Sequence, residues 1–429
     1  MDPIHILFVS MDGLITDIAW CTVKEGHDVK YYIKDPEEKE VGDGFVPKTD
    51  DWDKEVDWAD LIVFDNILGF GTKAKALREK GKFVIGGTPY TDRLEDDRAF
   101  GQEELKSAGI HIIPYQNFTS FDDAIQFVKD NPGKYVLKPS GRAQSIKGLL
   151  FVGEEDDGKD LLQVLEDYKK AWANKISSFQ LQKRVTGVEV AVGAFFNGNS
   201  FIYPININFE HKKLFPGELG PSTNEMGTTM FWSRPNKIFD ATLKKFESKL
   251  AEEKYVGYID INCIVNSNGI YPLEWTARFG YPTILIQQEG ITTPISEFFY
   301  QIAQGQTPSF KVKNGFQIGV KIVVPPFPFK DKQTFEVKSK DSIILFKKPV
   351  EGVHIEDVKL VNDEWVITGT SGGVLLVTAS GQTMKQAISS VYNKIKNILI
   401  PNMYFRRDIG ERWFEDSDRL HTWGYIREL

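Results

Sequence analysis

Residues 257–282 read GYIDINCIVNSNGIYPLEWTARFGYP, two strands around a tight turn. Asn266-Ser267-Asn268-Gly269 is turn chemistry, because Asn and Gly tolerate positive φ. In the first strand Asp260 and Asn262 alternate with Ile259, Ile261 and Cys263. In the second, Glu274, Thr276 and Arg278 alternate with Leu273, Trp275 and Ala277. Side chains two apart on a strand share a face. One face of the hairpin is therefore apolar, and the other gathers Asp260, Asn262, Glu274, Thr276 and Arg278. That polar face lacks Lys and Ser, the usual fillers of a merely wetted strand. Oxygen ligands beside a guanidinium suit a hard cation that holds phosphates.

Upstream, Tyr135–Pro139 reads as a strand ending in Lys138. The loop after it carries Arg142 and Lys147 between Gly141 and Gly148. Free backbone N–H groups and an ammonium make a phosphate cradle. Next, Ser178–Val185 reads as a strand running into Thr186-Gly187-Val188-Glu189. Its edge, at Gln182, Lys183 and Val185, can bond an adenine, and Glu189 can accept both hydroxyls of a ribose. Phe121–Asn131 and Leu161–Ala173 read as helices, so this block is a small α+β unit with a polar loop. At the N-terminus, apolar runs at Ile4–Val9, Val29–Ile33, Asp60–Phe64 and Lys82–Gly86 alternate with helical spacing at Leu14–Glu25 and Thr72–Lys80. That alternation predicts a parallel sheet covered by helices. The turn after the first run, Ser10-Met11-Asp12-Gly13, sits where such folds bind anions.

Leu94–Ala108 and Asp240–Glu253 each read as one helix, and Pro294–Gly305 as another. Val190–Phe209 reads as two strands around Asn197-Gly198-Asn199. Glu210–Gly227 shows no regular period and reads as a long functional loop. Strands dominate from Gln317 onward, followed by a helix at Thr383–Leu399 and a tail bearing Trp413 and Trp423. Divided by these signals, the 429 residues give an α/β unit at 1–95, a central unit at 96–120 with 188–315, a small unit at 121–187 and a β-rich unit at 316–429. The net charge of −8 argues against a general nucleic-acid or anionic-membrane binder. Two cysteines, Cys21 and Cys263, cannot build a disulfide framework, and a cytoplasmic location is expected. No apolar run reaches the ~20 residues that span a bilayer.

The order of these pieces resembles the ATP-grasp fold: lysine strand, polar loop, hinge strand with Gly-x-Glu, then an acidic hairpin with Arg. Within it the chain is similar, nearly end to end, to the phosphoribosylamine–glycine ligase family of purine biosynthesis. YVLKPSGRAQSIKG resembles that family's first grasp strand and phosphate loop. EHKKLFPGELGPSTNEMGT resembles its substrate loop, with Gly220, Pro221, Thr223, Met226 and Gly227 in pattern. LEWTARFGYP resembles its metal-site strand, and TSGGVLLVTASG and NMYFRRDIG two C-terminal signatures. The resemblance implies an α/β and α+β multidomain protein, with an N-terminal parallel-sheet domain before the grasp and a C-terminal β-rich domain. It implies an ATP- and Mg²⁺- (or Mn²⁺-) dependent ligase that makes an amide from a small carboxylate and an amine, releasing ADP and phosphate. No nucleic-acid or membrane partner is expected, and the chain acts as a monomer or homodimer.

By that resemblance Lys138 and Lys147 hold the α- and β-phosphates, with Arg98 in place of a family lysine. Gln182, Lys183 and Val185 hold adenine and Glu189 the ribose. Glu274 binds the metal, and Asn262 or Asp260 stands in where Thr276 replaces the family's asparagine. Arg278 neutralises the transferred phosphoryl group, Lys147 assists, and Gly220, Pro221, Ser222, Thr223 and Asn224 contact substrate. The unit at 121–187 is the lid. The departures fall on the acceptor side: Ser10-Met11-Asp12-Gly13 for a glycine-rich turn, Asn224-Glu225 for paired glycines, Tyr281 and Thr283 for acidic residues, and Val374 for an arginine. A carboxylate such as Asp12 or Glu225 weighs against an anionic acceptor, unless Arg406 or Lys212 supplies the phosphate contacts.

Overall fold

The computed structural model describes residues 2–66, 69–140 and 148–427. The chain opens with β1 (His5–Ser10), α1 (Thr16–Lys24), β2 (Asp28–Ile33), β3 (Leu61–Phe64), α2 (Phe70–Glu79) and β4 (Phe83–Ile85). The four strands are parallel, in the order β2-β1-β3-β4, as the alternation of apolar runs and helices requires. The stretch expected as one helix is two, α3 (Pro89–Asp96) and α4 (Arg98–Ser107). Asp97 leaves the helical region (φ −106°, ψ 89°), and its carboxylate accepts the Phe100 N–H at 3.0 Å, starting a new helix at Arg98.

The small unit comprises β5 (Tyr115–Phe118), α5 (Phe121–Asp130), β6 (Tyr135–Pro139), β7 (Phe151–Val152), α6 (Lys159–Trp172) and β8 (Phe179–Lys183). Its sheet runs β5-β8-β6-β7 and has an apolar core of its own around Phe121, Leu137, Leu161 and Phe179. β5, which the sequence analysis did not foresee, pairs with β8 along its length.

The large sheet is built from β9 (Val188–Asn197), β10 (Ile205–Phe215), β11 (Leu219–Ser233), β12 (Val256–Asn266) and β13 (Gly269–Thr276). The expected helix between β11 and β12 is broken into α7 (Lys237–Ala241), a 3₁₀ turn at Leu243–Phe246 and α8 (Glu247–Glu252), because Thr242 is non-helical (φ −124°, ψ −94°). Helices α9 (Thr283–Gly290), which the sequence analysis did not foresee, and α10 (Ile295–Ala303) follow. β14 (Phe316–Val323), α11 (Lys332–Lys338), β15 (Leu345–Phe346), β16 (Val353–Ile355), β17 (Val358–Val361), β18 (Glu364–Ile367), β19 (Gly373–Gly381), α12 (Met384–Ile395), β20 (Ile398–Leu399) and α13 (Trp413–Thr422) complete the chain. β14, β19 and β16 do not make a sheet apart. They extend the large one, ordered β13-β12-β9-β10-β11-β14-β19-β16. Among the described residues no helix is long and apolar enough to cross a membrane.

Glu210–Gly227, expected as a loop, is instead the outer half of the β10–β11 hairpin. Its register shifts between His211 and Lys213 and again between Lys213 and Phe215, and Gly220 takes φ +79°. Each bulge resets the inward–outward alternation, so a period-two pattern cannot survive. The β12–β13 hairpin forms as expected, with Asp260 opposite Thr276 and Asn262 opposite Glu274. Its apolar face carries Trp275 against Phe246, ring centroids 4.7 Å apart, with the indole N–H toward the Gly101 carbonyl at 3.4 Å. Trp275→Ala should cost about 3–5 kcal/mol, read as a lowered denaturation midpoint. An unchanged midpoint would remove Trp275 from the core.

Candidate functional site

A cleft of about 850 Å³ opens between the small unit and the polar face of the large sheet. β6 contributes Lys138, β8 contributes Gln182 and Lys183, and the residues after it contribute Val185 and Glu189. β13 contributes Glu274, α4 contributes Arg98, and β10–β11 contributes Lys212, Ser222, Thr223 and Asn224. Ten of the residues singled out in the sequence for nucleotide, metal or substrate thus line one space, although they come from six elements. Lys147 lies outside the described residues.

Lys212 stands at the centre. Its ammonium lies 3.2 Å from Glu189, 3.0 Å from Glu210 and 3.1 Å from Glu274. Burial would lower its pKa, but Glu210, Glu274 and Glu189 outweigh burial and raise it well above the ordinary lysine value. Lys212 in turn holds the Glu274 carboxyl down to about 2, against burial and with help from Lys138 and Arg98. Burial, then the neighbouring Arg98 guanidinium, lowers Lys138 to about 8. Burial likewise lowers Arg98, whose guanidinium donates to the Pro139 carbonyl at 3.3 Å. The Gln182 amide nitrogen is buried with no hydrogen-bond partner among the described residues, as a group awaiting a ligand would be.

Asn262 joins this cluster from β12. Its amide donates to Glu189 at 3.1 Å and to Glu210 at 3.2 Å, and its Oδ1 is buried without a partner among the described residues. Thr276 is not in the main cleft; it lines an adjoining cavity that Glu274 shares, and it sits opposite Asp260 and hydrogen-bonds its carboxyl. Among the described residues no three His, Cys, Asp or Glu side chains form a preset metal cage. An ionised Glu274, an unfilled Asn262 oxygen and the carboxylates around Lys212 are nevertheless hard oxygen donors of the kind a divalent cation takes.

Arg278 lies in an adjoining cavity of about 350 Å³ that shares Arg98 and Glu274 with the main cleft and is also lined by Glu95, Asp96 and Thr276. It pairs with Glu95 at 3.1 Å, and Glu95 also accepts the Ala277 N–H at 2.8 Å. Gly220 and Pro221 are not at the cleft; they sit near the tip of the β10–β11 hairpin, beyond Ser222. Glu225 does not face substrate either. It is buried, accepts from the Thr228 hydroxyl, and burial followed by Glu210 raises it well above the usual carboxylate range. Arg406 is buried and committed to Asp408 at 2.7 Å and Glu218 at 2.8 Å, which excludes it as a free phosphate contact. The sequence analysis missed Glu210 and gave Lys212 only a supporting part. The signal was present in Glu210-His211-Lys212, which puts Glu and Lys on one strand face.

Two family models match. The model for the phosphoribosylglycinamide synthetase ATP-grasp (A) domain covers residues 96–284, and that for the same enzyme's C domain covers residues 318–412. The phosphoribosylamine–glycine ligase of Halalkalibacterium halodurans is 23% identical over 350 residues, 78% of each chain. That of Lactococcus lactis is 24% identical over 342 residues, 77% of this chain and 78% of its own. In fold, the chain is similar to the crystal structure of phosphoribosylamine–glycine ligase from Thermotoga maritima (TM-score 0.71, 20% identity, 95% of this chain and 100% of that one). It is also similar to the biotin carboxylase domain of Hydrogenobacter thermophilus 2-oxoglutarate carboxylase (TM-score 0.62, 14% identity, 100% of both). The two family models together take in well over half of the sequence. The chain belongs to the phosphoribosylglycinamide synthetase family and is an ATP-grasp ligase of the carboxylate–amine class.

Proposed function

We propose that this enzyme uses ATP to activate the carboxylate of a small amino acid as an acyl phosphate, which an amine then attacks to form an amide. The observation that carries this is the convergence of Lys138, Arg98, Gln182, Glu189 and Glu274 on one cleft, with Arg278 next door. The relatives are named phosphoribosylamine–glycine ligases, so glycine and phosphoribosylamine are the first substrates to test. Gln182, Lys183 and Val185 meet adenine, Glu189 the ribose, and Lys138 and Arg98 the phosphates; Lys147 is assigned to the phosphates on sequence alone. Glu274 and Asn262 would hold Mg²⁺ or Mn²⁺, which when bound supplies positive charge to the phosphate oxygens. Thr276 braces Asp260 instead of joining that set.

Lys212 fixes the carboxylates before loading. Arg278 neutralises the transferred phosphoryl group, and Ser222, Thr223 and Asn224 position the amino acid. No side chain forms a covalent bond; the protein orients reactants and offsets charge. The small unit, with its own core, closes as a lid and keeps water from the acyl phosphate. The enzyme acts on small molecules in the cytoplasm, as a monomer or homodimer.

Glu274→Gln should abolish ADP release while leaving the melting temperature within a few degrees of the parent. The loss of a charged ligand costs several kcal/mol of transition-state stabilisation. Full activity in that variant would remove Glu274 from the metal set. The Lys138 ammonium, with its pKa at about 8, is charged below that pH and lost above it. KM for ATP should therefore climb above about pH 8, approaching tenfold per pH unit. Lys138→Met should give a high KM that no longer changes across that range; an unchanged pH profile in the variant would assign the titration elsewhere.

A further inference from the structure

Two backbone turns have the form of anion cradles, one within the field of Arg278 and the other linked to it through Glu38, and each is already filled by a carboxylate of the chain itself. The first is Ser10–Gly13 at the end of β1. Asp65 accepts from the Ser10 hydroxyl and from the Met11 N–H at 3.3 Å, and the Gly13 N–H donates to Ser10 Oγ at 2.8 Å. The second is Thr370–Gly373 before β19. Asp357 Oδ2 accepts the Ser371 N–H at 2.9 Å, the Ser371 hydroxyl at 2.7 Å and the Gly372 N–H at 3.1 Å. Converging N–H groups at such turns are what holds a phosphate. Here those donors are spent.

Glu38 stands between the two. One of its oxygens accepts from the Thr370 hydroxyl. The other, Oε2, is buried with no partner among the described residues. It points at Asp357: a methyl group placed on Gly369 would meet Glu38 Oε2 at 2.7 Å and Asp357 Oδ1 at 3.0 Å. Asp12 Oδ1 is likewise buried and unpartnered. Burial, then Asp12, lifts Asp65 to about 7, and burial, then Glu38, lifts Asp357 to about 8. Burial is the larger cause of each shift, and the second is a neighbouring carboxyl group that an incoming anion would also meet. Of the cations that act on this region, Arg278 is paired with Glu95 and Lys321 with Glu356 at 2.8 Å. Lys330 acts on Asp12 and Glu38, with Asp35 beside them as a further carboxylate.

We infer that the amine acceptor carries no phosphate, and that its remaining polar groups are hydroxyls or a second ammonium, which donate to Glu38 and Asp12. A phosphate monoester dianion would have to displace a buried aspartate from its donors and then face two further carboxylates. An ammonium or hydroxyl finds acceptors that lack a donor. The inference rests on the ligase reaction proposed above and concerns only its second substrate.

Three measurements on the full-length enzyme separate the two. Exchange between bridging and non-bridging oxygens of ATP labelled at the β,γ-bridge, driven by an amino acid alone, reports acyl-phosphate formation without any acceptor. Its absence with every amino acid would defeat the ligase reaction itself. Ribose 5-phosphate, titrated calorimetrically with a non-hydrolysable ATP analogue and Mg²⁺ present, should show no binding tighter than about 1 mM. Tighter binding overturns the inference whether or not exchange is seen. Ethanolamine, putrescine and glucosamine, tested beside phosphoribosylamine generated in place, complete the set. At least one unphosphorylated amine should raise ADP release about tenfold over amino acid alone, and phosphoribosylamine should not. ADP release that depends on phosphoribosylamine, or silence from every unphosphorylated amine while exchange proceeds, overturns the inference.

Discussion

One ammonium among three carboxylates sets the terms of the main cleft. Glu189, Glu210 and Glu274 come from three strands of one sheet, and without Lys212 their mutual repulsion would push one or more to protonate or swing away. With Lys212 between them, Glu274 stays ionised and aimed at the cleft. Arg98, Lys138 and Lys183 line the same cleft, as does Arg184, which is paired with Glu154.

The same arrangement explains the awkward position of Lys138. It sits on a strand of the small unit, buried and beside Arg98, where an ammonium is costly. Glu274 and Glu189, the two carboxylates that favour its charged form, belong to the large sheet. Burial and Arg98 therefore decide where Lys138 titrates, and Glu274 and Glu189 offset them only in part.

How much was legible follows from how far apart the partners lie. The N-terminal sheet and the β12–β13 hairpin rest on local alternation, and they form where that alternation puts them. Asn266 opposite Gly269 follows from a two-residue turn; a register shift between Asn262 and Cys263 then brings Asn262 opposite Glu274. The β10–β11 arm did not read as strand, because two bulges and Pro221 scramble the alternation that marks one. Breaks at Asp97 and Thr242 were hidden for a different reason: neither Pro nor Gly marks them, and tertiary packing decides. The residues that line the main cleft announced themselves because each lies in a short motif of its own. Asp65 and Asp357 gave no such sign. Asp65 reaches Ser10 across 55 residues of chain, and only the folded sheet reveals that a carboxylate stands in the turn.

The continuity of the large sheet has a consequence for how such enzymes diversify. β11 has β14 as its outer neighbour, paired from Gly227 to Phe231, and β14 is in turn held by β19. A chain cut after α10 would leave β11 an apolar edge bearing Met230 and Phe231, a template for self-association. The last third of the protein is therefore no detachable cassette that recombination could trade for another. Change must come by substitution inside a fixed frame. Turns at the rim, such as Ser10–Gly13 and Thr370–Gly373, are where a lineage can retune its chemistry while every ladder of the sheet stays paired.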